Sequence, residues 1–262
     1  MDINLTGKRA IVCGSTQGIG KAVARELASL GCTITLIARN EEKLRQVKSE
    51  LSASAGQIHN HITVDFADVE SLRSKILAFM RTSPPMHILV NNTGGPKGGP
   101  AIDAELEEFT ATFAQHLLCN HVLVQAVLPG MKREGYGRII NIISTSVKQI
   151  IPNLGVSNTV RGAVANWSKT LAGELAPFGI TVNNILPGAV NTLRNQYVLK
   201  DRAERSGKSV AEVTAAMLAA IPAGRFAEPA ELANVVAFLA SPAASYVNGV
   251  SIPVDGGRTT TL

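Results

Sequence analysis

Apolar and polar positions alternate in short blocks along this chain, and the blocks keep one rhythm. Residues 8–13 are apolar from Ala10 onward and predict a buried strand. A glycine-rich turn follows. Residues 21–30 then place Ala22, Val23, Leu27 and Leu30 on one side of a helix. Further strands are predicted over 33–38, 58–64 and 88–90, with helices over 41–51 and 69–80 between them. The second half repeats the plan. A long helix spans about 103–131, with an irregularity expected near Pro129-Gly130. The apolar run Ile139 to Ile143 is a strand, and 156–176 is a helix striped by Val160, Ala163, Val164, Trp167 and Leu171. Pro177 and Gly179 stop it. A strand over 180–186 ends at Pro187-Gly188. Residues 193–226 are charged, helical and punctuated by glycine, before a helix over 230–239 and a strand over 249–254. This unbroken alternation predicts an α/β fold: a parallel, doubly wound sheet covered on both faces by right-handed crossovers. With no linker or repeat in view, residues 1–262 read as a single domain.

Composition narrows the function classes. The chain has 262 residues, 45% hydrophobic and 17% charged, which suits a folded protein with a large core. The net charge of +5 is scattered, and the chain has one Trp and three Tyr. That argues against nucleic-acid binding and leaves a mild preference for anionic small molecules. Cys13, Cys32 and Cys119 have no metal-binding spacing and read as buried residues of a reducing cytosol, so no metal and a cytoplasmic location are expected. The opening residues are too polar for a signal peptide, and no apolar run reaches the ~18 residues of a membrane span.

The first candidate chemistry is the turn Gly14-Ser15-Thr16-Gln17-Gly18-Ile19-Gly20 between a strand and a helix. Glycines there let the backbone approach a pyrophosphate, and the helix N-terminus offers it free N–H groups. The end of the second strand chooses between cofactors. Ala38-Arg39 lacks the carboxylate that would hold the ribose 2′-hydroxyl of NAD(H), and its guanidinium suits a 2′-phosphate. NADP(H) is therefore favoured over NAD(H), although Gln17 adds no second positive charge.

Gly14-xxx-Gly18-Ile19-Gly20, Asp65, Asn91-Asn92-Thr93-Gly94, Ser144, Pro187-Gly188 with Thr192, and Asp255-Gly256-Gly257 occur in this order over nearly the whole chain. Together they resemble the short-chain dehydrogenase/reductase family, and its 3-oxoacyl-reductase-like members in particular. The resemblance implies a Rossmann-type sheet of about seven parallel strands. It implies cofactor contacts from Gly14, Ser15, Gln17, Gly18, Ile19, Gly20 and Arg39, with Asp65 and Phe66 at the adenine. Asn91, Asn92, Thr93, Gly94 and Arg161 fall on the ribose side. Pro187, Gly188, Val190 and Thr192 fall at the nicotinamide end. It also implies a homotetramer or homodimer packed through the two long helices, and a substrate lid over 193–226.

The family's usual catalytic set is Asn, Ser, Tyr and Lys, and this chain departs from it. Ser144 is in place, but thirteen residues on stands Ser157 and four further Arg161, while thirteen before Pro129 stands His116. A Ser hydroxyl is a far weaker acid than a tyrosine, and Arg cannot give up a proton, though it can hold an oxyanion or a carboxylate. Three readings follow. The acid has moved to His116, in an otherwise ordinary carbonyl reductase. Or Ser144, Ser157 and Arg161 hold the anion formed when hydride adds to a conjugated enone, with Arg161 equally able to clamp an acid group of the substrate. Or the protein binds a dinucleotide with little or no turnover, as a sensor or a subunit of a hetero-oligomer. In the first two the substrate is a small molecule, and the positive balance of 193–226 hints at an acidic one.

Overall fold

The computed structural model describes residues 1–261; Leu262, the last residue of the expected domain, lies outside the described residues. The first half runs β1 (Arg9–Cys13), α1 (Gly18–Ser29), β2 (Thr33–Ala38), α2 (Glu41–Glu50), β3 (Asn60–Thr63), α3 (Val69–Thr82) and β4 (Ile88–Asn91). The second runs α4 (Leu106–Phe113), α5 (Cys119–Glu134), β5 (Gly137–Ile142), α6 (Gly155–Leu175) and β6 (Ile180–Pro187). It ends with α7 (Leu193–Ser206), α8 (Val210–Ala219), α9 (Pro229–Ala240) and β7 (Ser251–Val254). The strands form one seven-stranded parallel sheet in the order β3-β2-β1-β4-β5-β6-β7. Strand side chains alternate between its faces. Ala10 and Val12 join a core with α1, α2 and α9, whereas Ile11 and Cys13 join one with α3, α5 and α6. The winding reverses between β1 and β4, which opens a crevice at the carboxyl ends of those strands.

Several predicted boundaries move, for identifiable reasons. β3 starts at Asn60 and not at Ile58, because the His59 ring accepts the Ile34 N–H at 3.0 Å in place of a ladder carbonyl. β7 starts at Ser251 because the Asn183 side chain, not its backbone, receives the Val250 N–H. The long helix begins at Leu106 behind a capping box of Glu105 and Glu108. Its irregularity is not at Pro129-Gly130. Pro129 sits inside α5, and the carbonyl it frees, that of Gln125, belongs to an exposed residue that water can reach. The helix instead widens into a π-turn at Ala114–Leu118.

One row of polar side chains crosses the sheet near the crevice. Asn91, Asn141, Asn184 and Ser251 are register partners on β4, β5, β6 and β7. Asn91 donates to Asn141, Asn141 to Asn184, and Asn184 to Ser251, while Ser168 of α6 donates to Asn184. A one-residue slip would break this row, so it fixes the register of the strands that carry the site. No helix among the described residues is long and apolar enough to cross a membrane.

Candidate active site

The glycine turn is built against β4. The Asn92 amide donates to the carbonyls of Cys13 and Gly14 at 3.2 and 3.4 Å. Gly14 is left-handed (φ 58°), and a Cβ there would lie 2.7 Å from Asn92; one on Gly20 would lie 2.3 Å from the Gly14 carbonyl. No larger residue fits either position. Asn92 therefore braces the turn. The Ser15 hydroxyl turns inward, donating to the Ile37 carbonyl, and Ile19 packs on the core. Gln17 precedes α1 in extended conformation, with no side-chain cap and no acid in the first turn. The first N–H groups of α1, beginning at Gly18, are thus left for an anion.

The other predicted cofactor residues line the same edge of the sheet. Arg39 follows β2, exposed and without an ion-pair partner among the described residues. Asp65 follows β3, exposed, its carboxylate accepting the Ala67 N–H. The Phe66 side chain belongs to the core, as does that of Val190. Asn91 is buried, with one amide oxygen unpaired. Thr93 and Gly94 continue beyond it. At the end of β6, Pro187 leads to Gly188, where a Cβ would lie 2.7 Å from Asp255. Thr192 caps α7 by accepting the Asn195 N–H, and its methyl would touch a Cβ on Gly18 at 3.2 Å. The start of α7 is thereby seated on the glycine turn.

Beside this crevice the structure joins Ser157 and Arg161 directly and ties Arg161 to the residue before Ser144. Arg161 donates its Nε–H to Ser157 Oγ at 3.1 Å and its Nη1–H to the carbonyl of Ile143 at 2.7 Å, directly before Ser144. Ser144 Oγ accepts the Ser146 N–H at 3.1 Å. Each hydroxyl oxygen already accepts an N–H, so each hydroxyl proton remains to be donated. Neither has an acceptor among the described residues. Burial, and secondarily the charge of Arg194, lowers the Arg161 pKa to about 10, which leaves it cationic at neutral pH.

His116 lies in the π-turn, buried, with Nε2 unpartnered. Burial first and the Arg161 charge second push its pKa down to about 3, partly offset by the Gly94 backbone. It stands close to the cluster and is neutral at physiological pH.

A contact that spacing alone did not announce also ends here. The segment Gly94 to Gly99 threads between side chains of α6 and α7. A Cβ on Gly95 would lie 3.3 Å from Arg161 Nη2 and 3.5 Å from Arg194 Nη2, and Arg194 donates to the Pro96 carbonyl at 2.8 Å. The sequence signal was the run of four glycines among six residues, facing a lid rich in Arg.

Comparisons with known proteins agree with this architecture. The family profile described as enoyl-(acyl carrier protein) reductase matches residues 14–259. The 3-oxoacyl-(acyl-carrier-protein) reductase FabG of Aquifex aeolicus is 32% identical over 259 residues, covering 98% of this chain and 99% of that protein. Among solved structures, L-sorbose reductase from Gluconobacter frateurii, complexed with NADPH and L-sorbose, aligns with a TM-score of 0.92 at 31% identity over 100% of both chains. YwfH, an NADPH-dependent reductase involved in bacilysin biosynthesis, aligns with a TM-score of 0.91 at 28% identity, over 97% of this chain and 99% of its own. With its seven-stranded sheet, its glycine turn and relatives matched end to end, the chain belongs to the short-chain dehydrogenase/reductase family.

Proposed function

We propose that this protein is an NADPH-dependent reductase that adds hydride to the conjugated double bond of a small enone. The observation that carries the reading is the 3.1 Å bond from Arg161 to Ser157, which engages the serine oxygen and leaves its proton to donate. The free first turn of α1, the turn braced by Asn92 and the Gly18–Thr192 contact fit a dinucleotide, and Arg39 fits its 2′-phosphate. The cofactor, when bound, supplies the hydride.

The chain's own residues handle the oxygen. Ser144 and Ser157 donate hydrogen bonds from their hydroxyls to the substrate carbonyl and keep their protons. As hydride arrives at the β-carbon, negative charge builds on that oxygen, and the two hydroxyls hold it as an enolate. The Arg161 cation polarises Ser157 and lowers the energy of the anion without losing a proton. Water then protonates the α-carbon, so one hydride and one proton saturate the double bond and the carbonyl survives. Burial and the Arg161 charge hold His116 neutral, so this reading gives it no proton to deliver. Reduction of an isolated ketone would require protonation of an alkoxide, for which this cluster has no strong donor.

The same reading keeps one domain with 193–226 as its lid, a cytoplasmic location and a homotetramer or homodimer. Phe113 and Leu118, partly exposed on the long helical segment, suit such packing. NADPH oxidation against paired enones and saturated ketones tests the activity. Turnover of the enones alone supports it; equal turnover of the ketones contradicts it.

A further inference from the structure

Arg161 and Arg194 approach one point from two elements. Each has its Nη2 within 3.5 Å of where a Cβ on Gly95 would stand. Neither makes an ion pair among the described residues. Arg161 commits Nε to Ser157 and Nη1 to the carbonyls of Ile142 and Ile143, while its Nη2 makes no hydrogen bond there. Arg194 is anchored by one bond, from that same Nη2 to the Pro96 carbonyl, while its Nε and Nη1 make none among the described residues. Gly94 and Gly95 set no side chain against the two guanidinium groups. Two like charges brought together with donors to spare are stabilised by a single anion bridging them.

We propose that Arg161 and Arg194 form a clamp over Gly95 for a carboxylate of the substrate. This rests on the reading that Ser144 and Ser157 receive the substrate carbonyl, and it assigns that substrate to the oxo acids. The shared chemistry is an oxyanion, which a cofactor phosphate could also offer. The phosphate, however, has its own donors at the start of α1, whereas Arg194 is tied to the loop after β4. Because Arg194 belongs to α7, a bound carboxylate would also hold α7 against that loop.

The test measures binding apart from turnover. Levulinate and methyl levulinate, which have no conjugated double bond, are titrated calorimetrically into the protein saturated with NADP+. The acid is expected to bind at least about tenfold more tightly than the ester. Arg194→Ala should erase that difference and leave the NADPH Kd within about twofold; Arg194→Lys should retain part of the preference. Arg194 is exposed, so a thermal melt should show both variants folded. Equal binding of acid and ester, or binding of neither, overturns the clamp. So does an Arg194→Ala loss of NADPH affinity matching the loss for levulinate, which assigns the anion to the cofactor.

NADPH oxidation is then followed with β-acetylacrylate and its methyl ester. Acid-selective binding with no oxidation of NADPH upholds the clamp while the reductase reading fails. Equal kcat/KM on acid and ester upholds the reductase reading and overturns the clamp.

Discussion

Arg161 and Ser157 stand one turn apart on α6, and the guanidinium donates to the hydroxyl oxygen at 3.1 Å. A tyrosine–lysine pair at these positions would make an acid. This pair makes a polarised donor beside a fixed charge. Ser157→Ala should lower kcat about 100-fold, the usual effect of removing one oxyanion donor, with little change in KM. Ser157→Thr keeps the hydroxyl and should retain most of the rate. Steady-state kinetics on an enone check both.

Arg161→Lys should be poorly tolerated despite conserving charge. A flexible ammonium cannot reproduce the planar fork that engages Ser157 and the Ile143 carbonyl together. We expect at least about a tenfold fall in kcat and a loss of ~1–3 kcal/mol in urea unfolding, since hydrogen bonds to backbone acceptors are lost.

Arg39→Ala should weaken NADPH binding by about tenfold or more, the effect of removing a charge-assisted contact to a phosphate, and leave NADH within about twofold. Fluorescence titration with both cofactors measures this. Equal losses for the two would remove Arg39 from the 2′-phosphate.

The pKa of His116, about 3 in the folded protein, lies below the 6.5 of an unperturbed histidine. The unfolded chain therefore binds the extra proton first. The stability linked to His116 is present above pH ~6.5 and is lost as pH falls from there toward 3. His87, lowered to about 4 chiefly by burial, adds in the same direction. His116→Gln should flatten the decline of Tm between pH 7 and 5, while the kcat profile over that range keeps its shape.

The alternation of strands and helices was legible because period-two and period-3.6 patterns record which faces are buried. Edges set by side chains were not, as at β3, where an imidazole substitutes for a ladder carbonyl. Pro129 predicted a break that the exposed helix face absorbs, while the π-turn around His116 has no breaker residue to announce it. Counting placed Ser157 and Arg161 one helical turn apart, and a hydrogen bond joins those two while Arg161 also reaches the carbonyl before Ser144. It could not foresee Arg194 crossing from α7 to Pro96, because the two residues are far apart in the chain and only the closed fold brings them together.

The most direct test of the account follows the hydride itself. The enzyme is run with β-acetylacrylate and NADPH deuterated at the transferring position, and the product is read by NMR. The product expected is a saturated ketone with its carbonyl intact, deuterium on the carbon β to it, and a solvent proton on the α-carbon. Deuterium on a carbinol carbon would contradict it, as would cofactor binding with no NADPH oxidised by any enone.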